Sequence, residues 1–174
     1  MQIFTLLFLL TGSFLTPHVT AEPVVIVNKT THEVALIQSG KEVFHAPAAI
    51  GKTKELTPEG QFQIKVKAKN PYYRKKNIPG GDPRNPLGSR WIGFDARGTD
   101  GRIYGIHGTN QPESIGKSVS AGCIRLENED VERLFDLVPS GAEVVIVSSE
   151  QKMNEIYGQW EKRKLERLLS LSPS

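Results

Sequence analysis

Cys123 and His107 are the residues most able to carry out chemistry in this 174-residue chain, in which Cys123 is the single cysteine. A thiol is only partly ionised at neutral pH, and a neighbouring imidazole that accepts its proton makes it a nucleophile towards amide carbonyls. The other imidazole nitrogen then needs a partner, and we predict that the carbonyl of Gly108 holds it. Either residue alone is more often structural, but together they predict covalent acyl transfer.

The stretch SAGCIRL around the cysteine supplies further candidate site residues. A carbonyl under attack develops negative charge on its oxygen, which needs hydrogen-bond donors, and we predict that the backbone N–H groups of Gly122 and Cys123 form this oxyanion hole. Three nearby polar side chains are predicted to bind substrate: Arg125, Ser120 and Thr109. One cysteine and four histidines show no metal-ligand spacing, so we expect neither a metal nor a cofactor.

Short strands are the elements that must position these residues. Apolar and β-branched runs predict strands over residues 24–27, 32–38, 41–50, 62–68, 90–95, 102–107 and 142–147. One helix is predicted with Asn128 as its N-cap, and another over residues 151–170, where a broken apolar stripe favours packing on the sheet over a membrane or partner. The pattern predicts an all-β or β-dominated α+β domain with a few helices and one core.

A long loop rich in proline and glycine separates two of the predicted strands, over residues 70–89. Loops of this length in a compact domain are often functional. We predict that it borders the substrate site as a lid or wall, the alternative being a solvent-facing connection.

The N-terminus has the features of an export signal. An apolar run over residues 3–15 is followed by Val19-Thr20-Ala21, which predicts a signal peptide over residues 1–21 with cleavage near Ala21. We therefore expect an extracytoplasmic protein with a catalytic domain over residues 22–149 and a C-terminal helical segment over residues 150–174. The run carries no preceding lysine or arginine, and a retained membrane anchor is the alternative.

The net charge of +3 is small and scattered. Basic and aromatic residues are not interleaved as in nucleic-acid-binding proteins, so nucleic acid is not an expected partner. A mildly basic exported protein would associate electrostatically with anionic wall polymers, and we expect a monomer.

Several motifs in the same order resemble the YkuD-type L,D-transpeptidase catalytic domain, over about residues 24–147. They are the His-Gly-Thr at 107–109, SAGCIRL at 120–126, TPEGQF at 57–62, Pro-Gly-Gly at 79–81 and NPLGSRW at 85–91. The resemblance implies the β-dominated fold of that domain, with mixed, sandwich-like β-sheets. It implies the nucleophile Cys123 with His107 as its base. It also implies attack on peptidoglycan stem peptides, between the L-centre of a diamino acid and the following D-Ala, through a thioester that an amine resolves into a 3→3 cross-link. It further suggests that carbapenems acylate the cysteine.

Two other functions are alternatives to transpeptidation. An L,D-carboxypeptidase or other hydrolase would resolve the thioester with water, and a non-catalytic wall-binding protein would need neither Cys123 nor His107. Ala121 stands where the family often has histidine, which bears on substrate preference rather than on the predicted backbone donors.

Overall fold

The computed structural model describes residues 22–171, so the predicted signal peptide lies outside the described residues. Over this range the chain forms ten strands and two α-helices, numbered here in chain order. They are β1 Val24–Asn28, β2 Glu33–Gln38, β3 Lys41–Pro47, β4 Ile50–Gly51, β5 Gly60–Lys69, β6 Arg90–Phe94, β7 Tyr104–His107, β8 Ser118–Ser120, β9 Ile124–Arg125, α1 Asn128–Leu137, β10 Glu143–Val147 and α2 Met153–Ser170.

Eight of these strands form one mixed sheet in the order β3-β2-β1-β10-β5-β6-β7-β9. Its parallel pairs are β1 with β10 and β7 with β9, and its other neighbours are antiparallel. Helix α1 contacts β3 as well as β6 and β7, so the sheet curls around it. This architecture confirms the predicted β-dominated class.

The short strands β4 and β8 pair in parallel outside the main sheet. The predicted strand over residues 41–50 is therefore two strands, because the chain leaves β3 after Pro47 to reach this second pairing. Strand β8 was not predicted from the sequence.

The predicted single core is wrong, because the part of the main sheet formed by β1, β2 and β10 is buried on both faces. Val25 and Val27 lie in the larger cluster with α1, whereas Val24 and Ile26 lie in a second cluster with α2. Successive side chains of a strand point to opposite faces, so the continuous apolar run of β1 serves both clusters.

Helix α2 buries only the first half of its predicted apolar stripe. Met153, Ile156 and Trp160 are buried, together with Tyr157, whereas three later leucines are more than half exposed: Leu165, Leu168 and Leu169. A helix of 18 residues is about 27 Å long, while a five-residue strand spans only about 17 Å, so α2 extends beyond the sheet. No helix between residues 22 and 171 is long and apolar enough to cross a membrane.

Asn128 is the first residue of α1 rather than its N-cap, which is Glu127. The Asn128 side chain instead accepts the N–H of Ser89 at 3.0 Å and donates to the carbonyl of Thr109 at 3.1 Å. It thereby ties the end of the long loop to the segment that follows β7.

Candidate active site

The register of β7 and β9 brings Cys123 and His107 to the same face of the sheet. Ile106 pairs with Ile124 and His107 pairs with Arg125, and both isoleucines are buried in the core. Because side chains alternate along a strand, His107 and Arg125 project from the opposite face. Cys123 directly precedes β9, so it lies beside β7 on that same face.

His107 is buried and held by the backbone. Its Nδ1 lies 2.6 Å from the carbonyl oxygen of Gly108, which favours the tautomer that carries the proton on Nδ1 and leaves Nε2 free to accept one. Burial lowers the pKa of His107 to about 4, although the Gly108 carbonyl opposes this shift, and the positive charge of Arg125 lowers it further. The imidazole is therefore a neutral base at neutral pH.

An aromatic side chain that the sequence analysis gave no role supports this histidine. Trp91 pairs with His107 across β6 and β7, and the two rings stack with centroids 5.5 Å apart and planes 16° apart. The indole Nε1 donates to the carbonyl of Gly101 at 2.8 Å. A Cβ at Gly105 would lie 2.6 Å from the indole ring, so a residue without a side chain is needed there. Only the strand pairing reveals this arrangement.

The Cys123 thiol is partly exposed, and its Sγ lies 3.5 Å from the carbonyl oxygen of Ile103. Burial raises the pKa of the Cys123 thiol, while a hydrogen bond from the backbone of Gly105 and the charges of Arg125 and Lys75 oppose the increase. Both shifts favour a neutral thiol beside a neutral imidazole at rest. Any attack of this thiol on a carbonyl therefore requires the transfer of its proton to a base, for which His107 is the candidate.

The turn before Cys123 engages one of the two predicted oxyanion donors. The N–H of Gly122 donates to Oγ of Ser120 at 3.0 Å, and the Ser120 hydroxyl donates to the carbonyl of Cys123 at 2.6 Å. Ser120 is buried, so its side chain shapes this turn instead of facing a substrate. Within residues 22–171 no acceptor takes the N–H of Cys123, which makes it the available donor.

Arg125 and Thr109, both predicted to bind substrate, lie in different surroundings. Arg125 is partly exposed, and its guanidinium donates to the Gln111 side chain at 3.3 Å. Thr109 is buried, and its hydroxyl accepts the N–H of Gln111 at 3.0 Å. Arg125 can thus reach a ligand at the thiol, whereas the Thr109 hydroxyl caps the turn after β7.

The long loop over residues 70–89 reaches the site at two points. The backbone of Leu87 lies close enough to the imidazole of His107 to raise its pKa, and the charge of Lys75 lowers the pKa of the Cys123 thiol. Next to this contact a polar cleft of about 290 Å³ is lined by the end of the loop and by the segment after His107. The loop therefore lies beside the candidate site, and its role as a lid or wall for the substrate stays a prediction.

The chain belongs to the YkuD family: the family model described as the L,D-transpeptidase catalytic domain matches residues 22–146. The fold and the sequence motifs thus define an L,D-transpeptidase catalytic domain, and the resemblance stated from the motifs is confirmed.

The names of similar proteins agree with this assignment. L,D-transpeptidase YqjB of Bacillus subtilis is 59% identical over 135 residues, which cover 78% of this chain and 77% of the relative. L,D-transpeptidase YkuD of the same organism is 43% identical over 100 residues, covering 58% of this chain but only 51% of the relative. Among solved structures, an L,D-transpeptidase from Mycobacterium smegmatis matches with a TM-score of 0.59 and 24% identity, over 73% of this chain and 59% of that chain. This last likeness bears on the fold alone.

Proposed function

We propose that this protein is a cysteine acyltransferase of peptidoglycan that forms 3→3 cross-links, or attaches groups to the wall, through a thioester on Cys123. The observation that carries the proposal is the pairing of β7 with β9, since it sets the only cysteine of the chain beside a buried, neutral histidine. A protein that merely binds the wall needs neither group.

Acylation begins with the stem peptide in the cleft beside Cys123. Nε2 of His107 accepts the thiol proton as Sγ attacks the carbonyl carbon of the L-centre that precedes D-Ala. The oxygen of that carbonyl becomes negatively charged and accepts the N–H of Cys123. The C–N bond then breaks, the imidazolium returns its proton to the departing D-Ala amine, and the acyl group remains on Sγ as a thioester.

Transfer reverses the roles of the same groups. The amine of a second stem peptide attacks the thioester carbonyl while His107 accepts one of its protons, and the thiolate leaves and is reprotonated. Arg125 is positioned to hold a carboxylate of a stem peptide, because its guanidinium lies on the same face as His107. Among residues 22–171 this guanidinium bonds a neutral amide, that of Gln111, and no carboxylate. Water in place of the amine would give the L,D-carboxypeptidase reaction.

Mass spectrometry of the protein incubated with disaccharide-tetrapeptide muropeptides tests the proposal. We expect a cross-linked dimer that has lost one D-Ala, and no product with Cys123→Ala. A trimmed monomer without dimer would establish the hydrolase, and unchanged muropeptide with a folded protein would contradict both enzymatic activities.

We also propose that the protein works outside the cytoplasmic membrane, after cleavage near Ala21. The apolar run over residues 3–15 and the Val-Thr-Ala sequence support this location. N-terminal sequencing of the protein from the producing cells should find Glu22 first. Retention of Met1 would favour a membrane anchor instead.

A further inference from the structure

A buried hydroxyl lies behind the turn that carries the nucleophile. Thr57 is fully buried, and its hydroxyl accepts the N–H of Gly51 at 2.8 Å and donates to the carbonyl of Gly122 at 3.1 Å. The Gly51 N–H therefore orients the hydroxyl, because it occupies an acceptor site and leaves the hydroxyl proton for Gly122. No other side-chain donor within residues 22–171 bonds this carbonyl.

The carbonyl of Gly122 and the N–H of Cys123 belong to one peptide group. A trans peptide is planar, and its C=O and N–H point in opposite directions, so fixing one fixes the other. A bond from Thr57 to the Gly122 oxygen therefore turns the Cys123 N–H away from the buried side of the turn.

Gly122 makes this orientation possible. Its φ of +130° lies in a region that L side chains rarely adopt, and a Cβ there would lie 2.5 Å from the carbonyl oxygen of Leu56. The turn thus packs closely on the Leu56–Thr57 segment, and the N–H of Gly122 is already taken by Ser120. The hydrogen bond from Thr57 to the Gly122 carbonyl is therefore the contact that restricts rotation of the peptide between Gly122 and Cys123.

We propose that Thr57 is a positioning residue for the oxyanion hole: its hydroxyl holds the Gly122 carbonyl so that the Cys123 N–H faces the carbonyl oxygen of the bound acyl group. Thr57 itself touches neither substrate nor thiol. This inference rests on the proposed thioester chemistry, and it assigns a function to the first residue of the TPEGQF motif.

Two reactions of the same thiol separate this role from general damage to the site. Acylation by a carbapenem forms an oxyanion and needs the Cys123 N–H, whereas alkylation by iodoacetamide displaces iodide from carbon and forms no oxyanion. Both are followed by intact mass, and neither depends on a muropeptide. Failure of cross-linking would overturn the proposed function, whereas failure of the acylation test would overturn only the role of Thr57.

We expect Thr57→Val to acylate at least about tenfold more slowly, because loss of an oxyanion donor costs about 100- to 1000-fold and a misdirected donor retains part of its effect. Its alkylation rate should match the wild type. Thr57→Ser, which keeps the hydroxyl, should acylate within a few-fold of wild type. Thr99→Val is the matched control, since the Thr99 hydroxyl donates to the carbonyl of Ala96 and not to the turn before Cys123.

Equal acylation rates of Thr57→Val and wild type would overturn the proposal. A variant whose acylation and alkylation are slowed by the same factor would overturn it as well. A rate for Thr57→Ser as low as that of Thr57→Val would also contradict it. If Thr57→Val does not fold, Thr57→Ala removes the same hydroxyl with a smaller side chain and is judged by the same ratio of the two rates.

Discussion

The indole of Trp91 stacks on the imidazole of His107, with ring centroids 5.5 Å apart. This contact covers one face of the base, and the hydrogen bond from the Trp91 Nε1 to Gly101 keeps the indole in place. Together with the Gly108 carbonyl, the stack restricts rotation of the imidazole and excludes water from it. Trp91 is thus expected to act on the reaction through His107.

Trp91→Leu should lower kcat by about tenfold or more with a smaller effect on KM, because a misplaced base costs rate more than binding. Water that reaches the imidazole should also raise the pKa of His107 towards 6.5. The acid limb of the kcat/KM profile should then move to higher pH. Kinetics between pH 4 and 8 measure both effects. Trp160→Phe, in the cluster under α2, is the matched control and should leave the profile unchanged.

The buried neutral imidazole makes stability depend on pH. Its pKa is about 4 in the folded protein and 6.5 ordinarily, so between these values the unfolded chain binds a proton that the folded protein does not. The contribution of His107 to the free energy of unfolding is complete above pH 6.5 and is lost as the pH falls to 4. The loss is about 3 kcal/mol in total, since one pKa unit corresponds to about 1.4 kcal/mol.

Urea unfolding of wild type and His107→Gln at pH 7 and pH 4 measures this contribution. The variant lacks the titrating group, so its free energy of unfolding should fall less over this interval. Carboxylates such as Glu59, whose pKa is lowered chiefly by a hydrogen bond from Ser148, lose stability in acid in both proteins and cancel in the comparison. An identical fall in both proteins would contradict the low pKa of His107.

At neutral pH the free thiol should be largely protonated rather than a preformed thiolate. Because burial raises the pKa of Cys123, alkylation by iodoacetamide should accelerate into the alkaline range without a plateau near neutral pH. The charge of Arg125 opposes that shift, so Arg125→Gln should move the alkylation profile to still higher pH. Arg133→Gln, a change at an exposed ion pair on α1, is the control. A neutral-pH plateau in the wild type would indicate a thiolate–imidazolium pair instead.

The apolar packing of helix α2 should stabilise the protein chiefly through the first half of the helix. Trp160→Ala should cost about 3–5 kcal/mol, because the indole is buried against the sheet. Leu168→Ala should cost less than about 0.5 kcal/mol, because 56% of this side chain is exposed. Thermal or urea unfolding separates the two, and comparable losses would show that the second half of α2 is also packed.

The family and the class of fold could be predicted correctly from the sequence, which also predicts the nucleophile and its base. The residue types and their order between His107 and Leu126, together with the TPEGQF motif, indicate the family and the candidate nucleophile and base. They do so because reactive groups are recognisable from residue type and local spacing. Alternating and continuous apolar runs likewise predicted most strands, since the period of two is a local property of the chain.

The backbone groups that are free to bind substrate, and the side chains that pack against Cys123 and His107, became known from the tertiary structure alone. Ser120 takes the N–H of Gly122, and Thr57 takes its carbonyl from a position far away in the sequence. Trp91 reaches His107 through the pairing of β6 with β7. These contacts join distant segments in a specific register, and residue patterns within one segment carry no information about that register.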